Sequence, residues 1–331
     1  KQVGDHASTP AVYTTENAGD PIKGYKINST AKLKSIELFW KNNAYSCVGV
    51  INPSDFRLFD DDGKKIPIWE DEATTKYTAN YAENYGRTKF ILKEGANYAL
   101  QTGLNSGLTN NPVANSIPWT PLCDDGERIS SNTRYVWGSN YNPERNGGFD
   151  GILEGNNAII SGIAVKSVGT DNFGLFAIIS GGVVRNLTFD NAYINVGDGM
   201  NIGLLAGSIE YSKVTGIKFE KKSNMPIYSS PYVRTATAGA RTYIVGASAT
   251  NVGALAGQIL GSIVENISFD IGANFSMEVS SGDSAGLLAG LISGDDSAIG
   301  SISLKGSGGW LFVGTGDAEA TYAGGLIGTI E

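Results

Sequence analysis

One short pattern recurs along the second half of the chain, and this repetition constrains the fold more than any other feature. The pattern combines glycine with aliphatic residues. It reads "GLLAGSI" at 203–209, "GALAGQI" at 253–259, "GLLAGLI" at 286–292 and "GGLIGTI" at 324–330, with a variant "GLFAII" from Gly174. A period of a few tens of residues predicts a repeat architecture in which each unit stacks on its neighbours.

A second pattern accompanies the first and has apolar residues at its positions 1, 4 and 6. Its members are Ile160/Ile163/Val165, Val184/Leu187/Phe189, Val214/Ile217/Phe219, Val264/Ile267/Phe269 and Ile299/Ile302/Leu304. The last two positions alternate as in a strand. The residue before them is Gly162, Asn186, Gly216, Asn266 or Ser301. Gly and Asn tolerate left-handed backbone angles, so the strand is expected to turn a corner there.

A chain that turns at a fixed place in every repeat winds into a coil. The sequence therefore predicts an all-β fold, a β-solenoid whose stacked turns bury columns of apolar side chains. The glycines of the first pattern would let neighbouring backbones approach closely. The alternative is an all-β sandwich with many glycine-rich turns.

The composition limits the classes of function that the chain can have. The 331 residues include 44 glycines, and the net charge is −8, which disfavours nucleic acid as a partner. No apolar run is long enough for a transmembrane segment. The chain has a single histidine, His6, so most kinds of catalytic and metal site that depend on histidine are disfavoured. Cys47 and Cys123 could form one disulfide or none, and they have no zinc-type spacing.

The glycine-rich repeats resemble the GLUG motif of large bacterial surface proteins. "GGFDGILEGNNAIISGIAV" at 147–165, "FILKEGANYALQTGLN" at 90–105 and "IPWTPL" at 117–122 are similar to the segments that precede such repeats. The resemblance implies a right-handed parallel β-helix, exported and extracellular on the bacterial cell surface. It supplies no catalytic residue, because such repeats occur in adhesins and in non-catalytic parts of surface proteases.

The chain divides into three parts. Residues 1–22 are expected to be an extended arm or linker, and residues 23–89 a small β-sandwich-like or capping domain. Residues 90–331 form the solenoid, with a long insertion at 221–250. The last repeat stops before its second pattern. Further residues, other copies of the chain or a larger surface assembly are therefore expected to cover its edge.

The insertion at 221–250 is the strongest candidate for ligand binding. It carries basic and aromatic residues on an otherwise acidic chain, a combination suited to recognition of a host or environmental glycan or protein. The candidate binding residues are Tyr228, Tyr232, Arg234, Arg241 and Tyr243. A surface loop without a ligand is the alternative.

The residue after each terminal apolar position forms a second candidate site. This column reads Lys166, Asp190, Glu220, Asp270 and Lys305. Three stacked carboxylates, Asp190, Glu220 and Asp270, could bind a metal ion such as Ca²⁺. The alternatives are a solvated face and a pair of carboxylates for acid–base chemistry on sugars. No other cofactor is expected.

Two classes of function remain. The first is a non-catalytic display or adhesive module, either an adhesin or a subunit of an extracellular fibre, in which the solenoid acts as a stiff rod. The second is a polysaccharide-degrading or polysaccharide-binding β-helix enzyme, with a phage tail fibre as a further alternative. An enzyme would need acidic residues beside Arg or aromatic residues on one face, and the sequence has no such cluster, so the first class is preferred.

Overall fold

The structure is a computed structural model that describes part of the chain. The described residues are 25–27, 33, 89–100, 119, 121–122, 148–149, 152–168, 171–197, 199–220, 240–246, 249–272, 275–294, 297–307, 311–315 and 322–331. The predicted arm at 1–22 and most of the predicted domain at 23–89 lie outside them.

The elements of the described residues are β-strands. The first group is β1 (Tyr25–Ile27), β2 (Lys89–Leu92), β3 (Asn97–Ala99), β4 (Ile152–Val168), β5 (Asn172–Phe173), β6 (Phe176–Ser180), β7 (Val183–Gly197), β8 (Asn201–Ile202), β9 (Ala206–Glu210) and β10 (Lys213–Phe219). The second group is β11 (Ala240–Gly246), β12 (Asn251–Gly253), β13 (Ala256–Leu260), β14 (Ile263–Gly272), β15 (Phe275–Ser281), β16 (Ser284–Gly286), β17 (Ala289–Ser293), β18 (Ala298–Ser307), β19 (Leu311–Thr315), β20 (Tyr322–Gly324) and β21 (Ile327–Ile330).

The strands form three parallel sheets, which establishes a parallel β-helix and excludes the antiparallel sandwich. The first sheet has 11 strands and the central order β1-β2-β4-β7-β10-β14-β18. Strands β11, β15 and β19 extend it beside the second half of β7. The second sheet runs β20-β16-β12-β8-β5, and the third runs β21-β17-β13-β9-β6.

Each turn of the helix passes through the sheets in the same order. One turn runs from β8 through β9 and β10 to β11, and the next runs from β12 through β13 and β14 to β15. Equivalent residues of successive turns pair in register, as in Val214 with Val264 and Phe219 with Phe269. The repeat spacing varies because the connections differ in length, whereas the paired strands keep one register.

The predicted bend is confirmed in four of the five repeats. The φ angles of Asn186, Gly216, Asn266 and Ser301 are 58°, 68°, 57° and 53°. Because the residues on both sides of these four positions pair in register, the bends stack in one column. Gly162 also has a positive φ, of 72°, but it lies outside that column.

The sequence alignment of the first repeat is wrong. The second-pattern residues Ile160, Ile163 and Val165 do not match the three apolar positions of β7. The pairs in the structure are Leu153–Val184, Ala158–Leu187 and Ile160–Phe189. Consequently Ser161, and not Lys166, occupies the position next to Asp190 in the adjacent turn.

A bulge in β4 explains this error. The register shifts between Glu154 and Ala158, where Asn156 and Asn157 have positive φ angles of 49° and 57°. Extra residues in one strand displace everything that follows them. The sequence pattern assumes a constant spacing between apolar positions, so it cannot detect these extra residues. It selected Ile160, Ile163 and Val165 instead, because they have the expected spacing.

The predicted inward columns are confirmed. Those named from sequence are all buried: Leu187, Phe189, Ile217, Phe219, Ile267 and Phe269. At the glycine-rich corner, a Cβ on Gly203 would collide with the Cα of Ala256 in the next turn. The glycine is therefore required by the close approach of two backbones, as the first pattern predicted.

The two ends of the described solenoid differ. At β6, the isolated bridges Leu122–Phe176 and Phe149–Ile179 cover the outer edge of the third sheet. The Trp119 indole Nε1 donates to the Gly174 carbonyl at 3.0 Å, and its ring is buried. At the other end, large apolar side chains of the last turn are exposed, namely Leu304, Tyr322, Leu326 and Ile330.

Candidate functional site

The structure places few of the predicted ligand-binding residues. Tyr228, Tyr232 and Arg234 lie outside the described residues, as do Cys47 and Cys123, so these predictions remain untested. The backbone of Arg241 and Tyr243 lies in β11. Tyr243 pairs with Tyr193 on one side and with Glu278 on the other. Residues 240–246 are thus part of the solenoid, and the insertion is narrower than 221–250.

The predicted acidic column begins at the corner after the stacked phenylalanines. Asp190 follows Phe189 and pairs in register with Ser161 of the preceding turn. Glu220 follows Phe219 in the next turn, where its backbone N–H donates to the Phe189 carbonyl at 3.1 Å. Strand register thus brings Ser161, Asp190 and Glu220 to equivalent positions in three successive turns.

Asp270 differs from the other two acids of the column. It is exposed and pairs in register with Lys305 of the following turn. Asp190, in contrast, is only 2% exposed. A site at this corner would therefore centre on Asp190 and Glu220.

The Asp190 carboxylate is buried without compensation. Both of its oxygens are enclosed, and neither has a hydrogen-bond partner among the described residues. Burial of an ionised carboxylate that lacks a partner costs several kcal/mol. Native structures seldom retain such a group, so its environment calls for a specific explanation.

A second carboxylate, that of the partly buried Glu154, shows how the same fold compensates a charge. Glu154 Oε2 accepts from Arg185 Nε at 2.6 Å. Its Oε1 accepts from the Asn186 amide Nδ2 at 2.9 Å and from the Asn156 backbone N–H at 3.1 Å. The Asn156 side chain in turn donates to the Leu92 carbonyl at 3.0 Å, which ties the cluster to β2.

This cluster changes the acidity of Glu154. Burial raises the pKa of its carboxyl group, but hydrogen bonds from Asn186, Asn156 and Arg185 and the guanidinium charge outweigh that effect. The pKa therefore lies below its ordinary value, and the carboxylate stays ionised. The cluster is an ion pair that stabilises the bulged strand β4. It was missed because the bulge hides the pairing of Glu154 with Arg185.

An asparagine ladder runs along the second sheet. Asn201 Nδ2 donates to Asn172 Oδ1 at 3.0 Å, and Asn251 Nδ2 donates to Asn201 Oδ1 at 2.9 Å. Each side chain repeats the bond made by the equivalent residue one turn away. The ladder could have been predicted from the sequence, since an asparagine lies two residues before the first glycine of three of the glycine-rich patterns.

The described ranges contain no group of three or more His, Cys, Asp or Glu residues arranged to hold a metal ion. A cation at the Asp190 corner would therefore use two carboxylates together with neutral oxygens. In the part of the chain that the structure describes, no helix is long and apolar enough to cross a membrane.

These features define a class of protein: a parallel β-solenoid with in-register apolar columns and an asparagine ladder. Within its described part, the Asp190 carboxylate is buried without a hydrogen-bond partner. Comparisons with protein-family models, with curated proteins and with solved structures gave no match.

Proposed function

We propose that the chain is a non-catalytic display module of an exported bacterial surface protein, either an adhesin or a subunit of an extracellular fibre. In this proposal the solenoid is a rigid frame, and the segment 221–239 is the part presented to a ligand. The similarity of the glycine-rich repeats to the GLUG motif supports the bacterial surface assignment. The way in which this segment joins the frame supports the display role.

The observation that carries the proposal is the uninterrupted register around the segment. β10 ends at Phe219, and β11 begins at Ala240. The neighbouring strand β7 runs through the same region without a break and pairs with both β10 and β11. On the opposite side, β10 pairs with β14, and β11 pairs with β15. The strands on both sides of the segment thus keep the same pairing partners.

A rigid frame that tolerates an insertion is suited to presenting it. Binding residues are concentrated on loops that a stable scaffold positions. The sequence of 221–239 contains Lys221, Lys222 and Arg234 and no acidic residue, on a chain whose net charge is −8. It also contains Tyr228 and Tyr232, and Tyr and Arg are enriched where proteins recognise partners. An acidic glycan or glycoprotein matches this composition.

The test measures binding of beads coated with the whole chain to immobilised mucin, fibronectin and sialylated glycans. In one variant a Gly-Ser linker replaces residues 222–238. In a matched control variant, residues 222–238 are kept but their order is scrambled. We expect the wild-type chain to bind at least one acidic surface and both variants to lose most of that binding. The thermal unfolding midpoint of the linker variant should remain close to that of the wild type.

Two results would contradict the display role. The first is a linker variant that binds the panel as well as the wild type, or that no longer folds. The second is release of sugar fragments when the wild-type chain is incubated with the mucin or the sialylated glycans of the panel. The second result would favour the enzyme alternative.

A further inference from the structure

The strongest unexplained feature of the described solenoid is the Asp190 carboxylate. Its residue is 2% exposed, and both oxygens lack a hydrogen-bond partner among the described residues. The fold compensates Glu154 fully, with a guanidinium, an amide and a backbone N–H. Asp190 therefore needs a compensating group that the described residues do not supply.

The neighbours of Asp190 along its column are rich in oxygen. In parallel sheets, in-register residues of adjacent strands lie about 4.8 Å apart and project to the same side. Register places Ser161 on one side of Asp190 and Glu220 on the other. A divalent cation at this corner would interact favourably with the Asp190 carboxylate and with that of Glu220 in the next turn.

Ser161 is oriented in a way that suits a cation. Its side chain is fully buried, and its Oγ donates a hydrogen bond to Asn97 Oδ1 at 2.7 Å. Because its proton is directed to Asn97, the lone pairs of Ser161 Oγ remain available as an acceptor. A hydroxyl fixed in this way can contribute a neutral oxygen ligand beside the two carboxylates.

We propose that Asp190 and Glu220, with the Ser161 hydroxyl, bind a Ca²⁺ ion at this corner of the solenoid. Ca²⁺ takes six to eight oxygen ligands in variable geometry, whereas Mg²⁺ demands near-ideal octahedral coordination. Two carboxylates and one hydroxyl are oxygen ligands of the kind that Ca²⁺ accepts. Because the site holds only two charges, its dissociation constant should be about 10⁻⁴–10⁻³ M, as in extracellular modules.

The experiment is calorimetric titration of CaCl₂ into the full chain, with Asp190→Asn as the test variant and Asp270→Asn as the matched control. Asp190→Asn keeps the size of the side chain and removes its charge. Asp270 lies in the same column but is exposed. We expect Asp190→Asn to weaken Ca²⁺ binding by about tenfold or more, and Asp270→Asn to leave it unchanged.

Thermal unfolding gives a second readout that does not depend on the heat of binding. A ligand that binds only the folded state raises the unfolding midpoint. Ca²⁺ should therefore raise the midpoint of the wild type and of Asp270→Asn, and it should leave that of Asp190→Asn unchanged. MgCl₂ at the same concentration should produce a smaller shift.

Three results would overturn the proposal. One is a wild-type chain that shows neither binding heat nor a midpoint shift with Ca²⁺, while Asp190→Asn is more stable than the wild type without any ion. Another is equal loss of binding in Asp190→Asn and Asp270→Asn, and the third is an equal response to MgCl₂. These measurements use no surface ligand, so their outcome is separate from that of the display role.

Discussion

Phe219 and Phe269 occupy equivalent positions in consecutive turns, with ring centroids 4.8 Å apart and ring planes 8° from parallel. Phe189 stacks on the other face of Phe219 at 5.5 Å and 17°. This spacing is close to the separation of adjacent strands, about 4.7–4.9 Å, so the strand pairing itself sets the ring stack. The core of the solenoid is therefore a direct consequence of in-register repetition.

Removal of the central ring should be costly. Phe219→Ala removes contacts with the rings above and below and leaves a cavity that the fixed strand register prevents from closing. We expect the free energy of unfolding to fall by about 3–5 kcal/mol in urea denaturation. Leu304 ends the same column and is 56% exposed. The control Leu304→Ala should cost less than about 1 kcal/mol, and equal losses in the two variants would contradict the stacked core.

The corner column provides a test of backbone geometry. Gly216 has a φ of 68°, and an added Cβ would lie 2.6 Å from Asn186 Oδ1. Gly216→Ala should destabilise the chain by about 1–2 kcal/mol or more, because strain and a collision add. At Gly300 an added Cβ meets nothing within 4 Å. Gly300→Ala should be neutral or mildly stabilising in the same denaturant titration, and a larger loss there would refute this explanation.

The Glu154–Arg185 pair predicts a pH dependence with a definite sign. The pKa of Glu154 lies below its ordinary value of 4.5, so the folded state favours the ionised carboxylate. The stabilisation is complete above that ordinary value and is lost as the pH falls through the lower value of the folded state. Glu154→Gln should lower the free energy of unfolding at neutral pH and should reduce its decrease in acid. Arg185→Gln should reduce that decrease in part. The same decrease in both variants as in the wild type would contradict the assignment.

The asparagine ladder predicts a graded response. Asn201 is buried and bonds to Asn172 on one side and to Asn251 on the other, whereas Asn172 shares one bond of this ladder. Asn201→Ala should therefore cost more than Asn172→Ala, and each lost bond should contribute about 1 kcal/mol. Thermal unfolding of the two variants measures the difference. The reverse order would show that the ladder does not stabilise the second sheet.

Sequence reasoning predicted the features that repeat. The apolar positions of β7, β10 and β14, the corner at Asn186, Gly216 and Asn266, and the need for close-approach glycines follow from residue type and spacing. They could be predicted because equivalent positions of each turn have the same surroundings and carry similar residues. The repeated local pattern therefore indicated how distant parts of the chain pack together.

What sequence reasoning missed depends on contacts that occur once. The bulge at Glu154 displaced the alignment of β4, and it hid both the ion pair with Arg185 and the position of Ser161 beside Asp190. The different burial of Asp190 and Asp270 could not be predicted either. Both residues follow the same pattern, and only the surroundings of each corner distinguish them.

Spin-label distances across the strands test the parallel in-register solenoid. Lys218 pairs with Ser268 in the next turn, and Ser268 pairs with Ser303 in the turn after that. After Cys47 and Cys123 are replaced by serine, labels would be placed at 218 and 268 in one chain and at 218 and 303 in another. We predict strong dipolar broadening for the first pair, at about 4.8 Å between strands, and weaker broadening at roughly twice that spacing for the second. Equal broadening in the two chains, or none in the first, would contradict the solenoid.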